Sequence, residues 1–478
     1  MPLHVISLQS EDFTTVHLEV ASLSGREVLG QLGFFEVSVQ VPEAFPLDTA
    51  EVRGANVTLT QTVDGVERHR WYGVVTEVVD TLEVLNDERT YFLRLEPTAH
   101  RLSLVRMQDI FLDTSDPDII RTKFERVGLT EQIDFHCQRE YDAREFVLQY
   151  EESDLAFVSR RAEHLGLTLL VYQDTESERD VVRFVDNVDG FPELAPVSYD
   201  VRGDIPNVIL SLRRRHATTS ARVMVQEYNY RTPTVNLVKG ADVPDGQGGG
   251  IVEWGNHFKT ETEGEFFAGI RAEEIRARQV VYTGTSTIAG LAVGHRLPIE
   301  NHPFLSPEES ELLIIEVNHR SGGQDGGEAL NDFVAIPSAV PYRPPRVTPR
   351  PHMAGIYTAI IQPKEDAFVA DLAELDDEGR YKVRFFFDSQ PRDGATSRPI
   401  RMMQPHSGAG HGMHFPLRPG VEVLVGFANG DPDRPVILGA VDNAATRSPS
   451  TAANPRANVI STMSGVTFAM VDAPTREA

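Results

Sequence analysis

Cysteine is almost missing from this sequence: Cys137 is the single one among 478 residues. One thiol cannot close an internal disulfide and leaves no thiolate cluster for a metal. The chain is therefore expected to fold without cross-links, in a reducing compartment or a setting indifferent to cysteine. Long apolar runs are missing too. Nothing approaches the roughly 18 apolar residues that span a bilayer as a helix, and the opening "MPLHVISLQSEDF" lacks the basic stretch and apolar core of a secretory signal. The expectation is a soluble protein made in the cytoplasm, which leaves the cell, if it does, by another route than general secretion. Positive charge is also scarce, with 45 Lys and Arg against 71 Asp and Glu and a net charge of −26. The deficit is uneven. Residues 351–478 hold 12 basic and 15 acidic residues, which leaves −23 to residues 1–350. Such a field repels nucleic acid and anionic membrane, whose binding needs clustered Lys and Arg, so the expected partners are proteins.

What is present reads as mainly β. A chain of this length holds three or four domains at roughly 100 to 200 residues each. Residues 1–105 form a strand meander, with "RHRWYGVVTEVVD" and "RTYFLRLEPTAHRLSLV" rich in β-branched and aromatic residues between Gly, Asn, Asp and Pro turns. Residues 106–204 change to an α+β insert. Here Ser115 caps a helix that stops at Gly128, and Ser153 caps another that stops at Gly166 and carries Leu155, Val158, Ala162 and Leu165 on one face. Residues 205–345 return to strands, with one helix in "EGEFFAGIRAEEIRARQV" and flexible glycine loops at "DGQGGG" and "SGGQDGG". Neither loop has the spacing of a phosphate-binding motif. "PYRPPRVTPRP", with five prolines in eleven residues, predicts a semi-rigid spacer and a domain boundary.

After the spacer the pattern is a compact antiparallel barrel. In "YKVRFFFD", Tyr381, Val383, Phe385 and Phe387 alternate with Lys382 and Arg384, and five or six such strands suit a small closed barrel of the OB type. Its segment "GVEVLVGFANGDPDRPVILGAVDN" contains the loop Gly430, Asp431, Pro432, Asp433, Arg434 and Pro435. Two aspartates one residue apart suggest a metal or acid/base pair, but the prolines fix torsions and Gly430 permits a tight reversal, so a structural turn is expected. His406, His411 and His414 offer three imidazoles without the spacing of a zinc motif, and Asp376, Asp377 and Glu378 read as a solvated turn. No catalytic residue, metal or cofactor is expected. In the tail, Ile460, Val466, Phe468 and Met470 share one strand face while Val459, Met463, Ala469 and Val471 take the other. A strand apolar on both faces most simply buries itself between subunits, in an intertwined oligomer.

Three long segments then carry a family resemblance: "REYDAREFVLQYEESDLAFVSRRAEHLG", "DDEGRYKVRFFFD" and "QPHSGAGHGMHFPLRPGVEVLVGFANGDPDRPVILGAVDN". In that order they resemble the valine-glycine repeat protein G (VgrG) family, the spikes of type VI secretion and related contractile injection machines. The resemblance implies a phage-tail hub fused to a spike. Residues 1–105 and 205–345 would be two tube-like hub β-barrels, 106–204 the α+β insert, 346–355 a Pro-rich linker, 356–445 an OB-type neck and 446–478 the start of a trimeric β-prism needle. It further implies a homotrimer that docks on a hexameric tail tube protein among baseplate proteins, takes a PAAR-type tip protein, helps deliver effectors and meets a target membrane only during puncture. Ile460, Val466, Phe468 and Met470 would then serve the trimer and tip interface. Related spikes continue into hydrolase or effector domains. Here 37 residues follow Val441, fewer than the roughly 50 an independent domain needs, which favours a non-enzymatic protein. Typical members also continue through a longer needle than "SGVTFAMV" begins, so a short-needle member and a shortened chain both fit. A nucleic-acid-binding OB protein is the other alternative, and the near-neutral barrel beside an acidic region argues against it.

Overall fold

Alternation decides the first barrel. In β3 (Phe34–Pro42), Phe35, Val37, Val39 and Val41 are buried while the residues between them face outward. This is the period-two pattern of a strand with one face on a core. The computed structural model describes residues 4–203, 205–322, 329–363, 373, 375–388 and 397–472. Six strands, β1 (His4–Gln9), β2 (Glu19–Val28), β3, β4 (Asn56–Val63), β5 (Val66–Leu85) and β6 (Glu88–Glu96), pair antiparallel in the order β1-β4-β5-β6-β3-β2. β1 comes back beside β2, so the sheet curls around Val37, Val39, Leu59, Trp71, Val75 and Tyr91. A one-turn helix, α1 (Thr49–Val52), lies between β3 and β4.

A second barrel is built from the later strands. β19 (Glu311–Ser321) pairs with β20 (Ala329–Pro337), β20 with β17 (Val280–Ser286), and β17 with β13 (Ile209–His216). A bridge from Ile209 to Tyr199, then β12 (Val197–Ser198) and β18 (Arg296–Glu300), lead back to β19. Pairing of β2 with β19, from Val28 opposite Glu316 to Leu23 opposite Ser321, merges both barrels into one twelve-stranded sheet. The two strand-rich stretches, separated by a hundred residues of insert, thus share a continuous ladder.

The insert's helices form where their caps predict. α2 (Asp116–Arg126) starts at Ser115, whose hydroxyl accepts from the Asp118 N–H, and Gly128 follows it with φ 78°. α3 (Asp154–Leu165) is capped by Ser153 and ended by Gly166 in the left-handed region, with Val158, Ala162 and Leu165 buried. The pair is locked by Lys123 Nζ on Asp154 Oδ1 at 3.0 Å, both side chains out of solvent. A three-stranded sheet of β10 (Thr168–Asp174), β11 (Arg179–Val185) and β8 (Ile133–His136) completes this part. Farther on, α4 (Glu261–Arg276), with a capping box from Thr260 to Glu263, packs on β14 (Ser220–Glu227) and β15 (Leu237–Asp242). The glycines of "DGQGGG" depart from the loop expected of them: Gly248, Gly249 and Gly250 open β16 (Gly248–Trp254), which pairs parallel with β14. Glycine there leaves the ladder intact and only removes side chains from an exposed edge. Residues 323–327 of the other glycine loop lie outside the described residues.

All of this belongs to one packing unit, Met1–Arg106, Ser115–Asp142 and Ser153–Arg350. The second unit contains Pro351–Ala478 and two pieces of the insert, Met107–Thr114 and Ala143–Glu152. In it β22 (Val383–Phe385), β21 (Tyr357–Ile361), β25 (Glu422–Phe427) and β26 (Pro435–Val441) form an antiparallel sheet. Bridges from Tyr381 to Ile400 and from Met402 to Ile437 close it into a small barrel around Ala359, Ile361, Phe385, Val423 and Val425. β7 (Arg106–Phe111) and β9 (Val147–Ser153) pair with each other and bring Ile110, Phe146 and Leu148 into this barrel's core. The period-two pattern identifies such segments as strands but carries no label for the core they join, so the sequence could not assign them to it.

Candidate functional site

The loop from Gly430 to Pro435 meets the insert's segment Ala143–Glu152 inside the second packing unit. Asn429 (φ 58°) and Gly430 (φ 69°) both take the left-handed conformation and reverse the chain after β25. Gly430 has no alternative: a Cβ there would lie 2.1 Å from the His352 ring, while its carbonyl accepts from the Met353 N–H at 2.8 Å. Asp431 Oδ1 accepts from the Asp433 N–H at 3.1 Å, and Arg434 Nε reaches Asp431 Oδ2 at 3.4 Å. Asp433, 6% exposed, turns away from solvent and accepts the Leu148 N–H at 2.8 Å across 285 residues of chain. Pro432 fixes the torsion between the two acids and Pro435 opens β26. A buried carboxylate that accepts a backbone N–H of β9 (Val147–Ser153) contributes to local packing, because a buried, unmade hydrogen bond costs about 1–3 kcal/mol.

The three histidines do not converge. His406 and His411 stand exposed across a short hairpin, β23 (Ser407–Gly408) and β24 (His411–Gly412), with ring centroids 5.2 Å apart. His414 is drawn off to the Tyr381 hydroxyl at 3.1 Å and to Gln404 Nε2 at 3.2 Å. Asp376 is a turn residue: its carboxylate accepts from the Glu378 and Arg380 N–H groups at 3.0 and 2.9 Å and from Arg380 Nε at 2.7 Å. Burial would raise its pKa, but the Arg380 bonds outweigh that and hold it below the usual value.

The Pro-rich segment is not a free spacer over its first part. Arg343 bonds Glu273 at 2.7 Å and the Gly166 and Asp186 carbonyls at 3.1 and 2.9 Å. Arg346 grips Glu253 through two bonds of 2.9 and 2.6 Å, and Thr348 takes Glu163 through its hydroxyl at 2.6 Å and its N–H at 3.0 Å. Burial raises the Glu163 carboxyl despite those bonds. Arg271 lies beneath, 1% exposed and pushed down to about 10 by burial and by the neighbouring Arg346 charge. The sequence predicts only a spacer here; arginines interleaved with prolines after an acidic region are the signal that could have found this strap.

The tail forms a hairpin of β27 (Ala457–Ser461) and β28 (Thr467–Val471), with Ile460 directly opposite Phe468 and Met470 two residues on along the same face. Gly465, at φ 88°, closes its turn with an N–H to the Thr462 carbonyl at 3.0 Å. Ile460, Val466, Phe468 and Met470 are 45%, 68%, 58% and 55% exposed. This leaves a two-faced apolar hairpin in water. No helix among the described residues is long and apolar enough to cross a membrane.

The phage tail baseplate hub (GPD) family matches residues 26–325, and the type VI secretion system/phage-baseplate injector OB domain matches residues 366–441. Over 466 residues the chain is 29% identical to the type VI secretion system spike protein VgrG5 of Pseudomonas aeruginosa, covering 90% of this chain and 56% of that protein. It is 27% identical over 456 residues to the actin cross-linking toxin VgrG1 of Vibrio cholerae, covering 90% and 40%. The chain thus spans about half the length of such relatives. Among solved structures, the E. coli c3393 protein, a type VI secretion component described as similar to the T4 tail proteins gp27 and gp5, superposes with a TM-score of 0.69 at 22% identity, over 91% of this chain and 100% of that one. A chain of the half-lidded Francisella PdpA–VgrG complex gives 0.64 at 10% identity, over 98% and 83%. Both show likeness of fold.

Proposed function

The chain belongs to the phage tail baseplate hub family and is a VgrG-family spike, and from that premise we propose that it acts as the homotrimeric hub and spike at the tip of a contractile injection machine. It joins the tail tube to the puncturing tip and helps deliver effectors. The observation that carries this reading is the fusion of two barrel-like halves into one twelve-stranded sheet within one packing unit. Three chains with two barrels each present six, matching a hexameric tube ring, and a closed ring of identical contacts is the usual way a homo-oligomer completes itself. Residues 1–105 and 205–345 form the base, the OB-type barrel the neck and residues 446–478 the first part of the needle. The exposed face of Ile460, Val466, Phe468 and Met470 is covered by the other two chains and, at its end, by a PAAR-type tip protein. The protein is made in the cytoplasm, joins baseplate proteins there, and meets a target membrane only as the sheath contracts. No step calls for a catalytic residue.

Sedimentation of the full chain at micromolar concentration tests the core of this: a species of three chain masses is expected, and a stable monomer would sink the trimer. Phe468→Asp should weaken recovery of a co-encoded tip protein in a pull-down while leaving the hub folded. Equal recovery with the unaltered chain and with one lacking residues 456–478 would remove tip docking from this end.

A further inference from the structure

Along the twelve-stranded sheet the order β5-β6-β3-β2-β19-β20-β17-β13 puts β5 and β13 three strands out on either side of the seam where β2 pairs with β19. In a sheet that curls on each side of that seam, both strands lie on flanks of the hub unit remote from it. Both are also edges. β5 leaves β4 at Val74, opposite Asn56, and after Val75 has bonded Gly54 and Ala55, residues 76–85 pair with β6 alone among the described residues. β13 meets Tyr199 through Ile209, and residues 211–216 pair with β17 alone among the described residues. A free edge offers a row of unpaired N–H and C=O groups to another strand.

The two edges carry opposite charge. On β5, Glu77 and Glu83 stand exposed and hold no ion pair among the described residues. Their neighbours are already engaged: Asp80 pairs with Arg89, and Arg94, opposite Glu77, is taken by Glu36 and Glu96. On β13, Arg213 and Arg215 share one strand face, exposed and without an ion pair among the described residues, while Arg214 between them goes to Glu309. Apolar surface accompanies the acids, since Val79, Leu82 and Leu85 are exposed, as is Phe92 across the ladder from Val79. Charge on an edge guards it against its own kind. Two copies of β5 repel, and two of β13 repel. The pairing left attractive is β5 of one copy with β13 of another. Because the two edges differ, that contact runs head to tail, the kind that generates a ring when the rotation between copies closes.

We propose that residues 76–85 of one copy pair edge to edge with residues 211–216 of the next, Glu77 and Glu83 meeting Arg213 and Arg215, so that one sheet runs on through a ring of hubs. This rests on the homotrimeric reading above and names the surface that makes it. Hydrogen exchange of the full chain, read beside its mass by sedimentation, tests the joint. In the trimer, the amides of both stretches that β6 and β17 leave unpaired should exchange at least about tenfold more slowly than in Arg213→Glu/Arg215→Glu, which sets like charges against each other. That variant should lose protection at both stretches even where the tail hairpin keeps three chains together, and Glu77→Arg/Glu83→Arg should do the same. A chain with all four substitutions exchanges the signs and should recover protection to within about threefold, which a misfolded variant would not. A trimer whose two stretches exchange as free edges, or keep their protection after either reversal, would leave the trimer standing and overturn this joint. Loss that the four substitutions together fail to restore would overturn it too. A monomer would sink the trimer and the joint alike, and protection that appears only on adding the tube protein would assign the edges to that partner instead.

Discussion

β25 and β28 are written in nearly the same alphabet and meet opposite fates. "EVLVGF" buries Val423 and Val425 completely, while in "TFAMV" Phe468 and Met470 remain more than half exposed. Both alternate, and both sit in antiparallel ladders. The difference lies in what surrounds the ladder. β25 is flanked by two strands and roofed by Ile110 and Leu148 from the insert, whereas β28 has one neighbour among the described residues, β27, and its side chains there stand exposed. Alternation says that a strand has an apolar face; a second layer decides whether the face is buried. An isolated two-stranded hairpin is marginal in water, which is why the proposed function covers this one with other chains.

Charge placed on each strand should separate the two most sharply. Val425→Asp puts an unpaired carboxylate in a closed core and should cost ~4 kcal/mol or more, seen as loss of the OB unit's unfolding transition. Phe468→Asp should leave the monomer's unfolding within ~0.5 kcal/mol and act on trimer dissociation instead. Equal losses of monomer stability would show that the tail is covered by its own chain.

The next largest contrast lies in two glycines. Gly430→Ala meets the His352 ring and a left-handed backbone together, and should destabilise by ~3 kcal/mol, whereas Gly465→Ala, with open space around it, should show only the left-handed penalty of ~1 kcal/mol. Denaturant midpoints of the two variants give the comparison directly.

Asp433→Ala removes the carboxylate that accepts the Leu148 N–H and should cost ~2 kcal/mol in the OB unit, while Asp433→Asn keeps an acceptor and should cost less than half of that. Parallel loss in both variants would mean that the charge, not the acceptor, matters.

The smallest effect separates the hub by pH. His69 is held near 3 in the folded hub against 6.5 unfolded, so the folded state binds fewer protons. Its contribution to stability is therefore complete above pH 6.5 and shrinks as pH falls from there toward 3, at ~1 kcal/mol per pH unit. Urea unfolding at pH 7.5 and 5.5 should show this loss for the unaltered hub and a flatter response for His69→Leu.

Much of this was legible in advance where the signal is local. Ser115, Ser153 and Gly166 marked helix ends because caps act within one turn of backbone. Val28 pairing with Glu316 was invisible, because register between distant strands leaves no short-range pattern. Arg343 and Arg346 looked like spacer residues until Glu273 and Glu253 were found opposite them.

The sequence by itself determined the classes of element, the order of the strand-rich and mixed regions, the acidic hub and the turn at Gly430, since propensity, periodicity, charge and backbone freedom are properties of neighbouring residues. Tertiary structure alone decided that Ile110 and Leu148 belong to the OB core, that Asp433 is a clamp for a strand 285 residues away, and that β2 pairs with β19. Each of these is a contact between segments far apart in the chain, and its free energy exists only once the fold has brought both partners out of water.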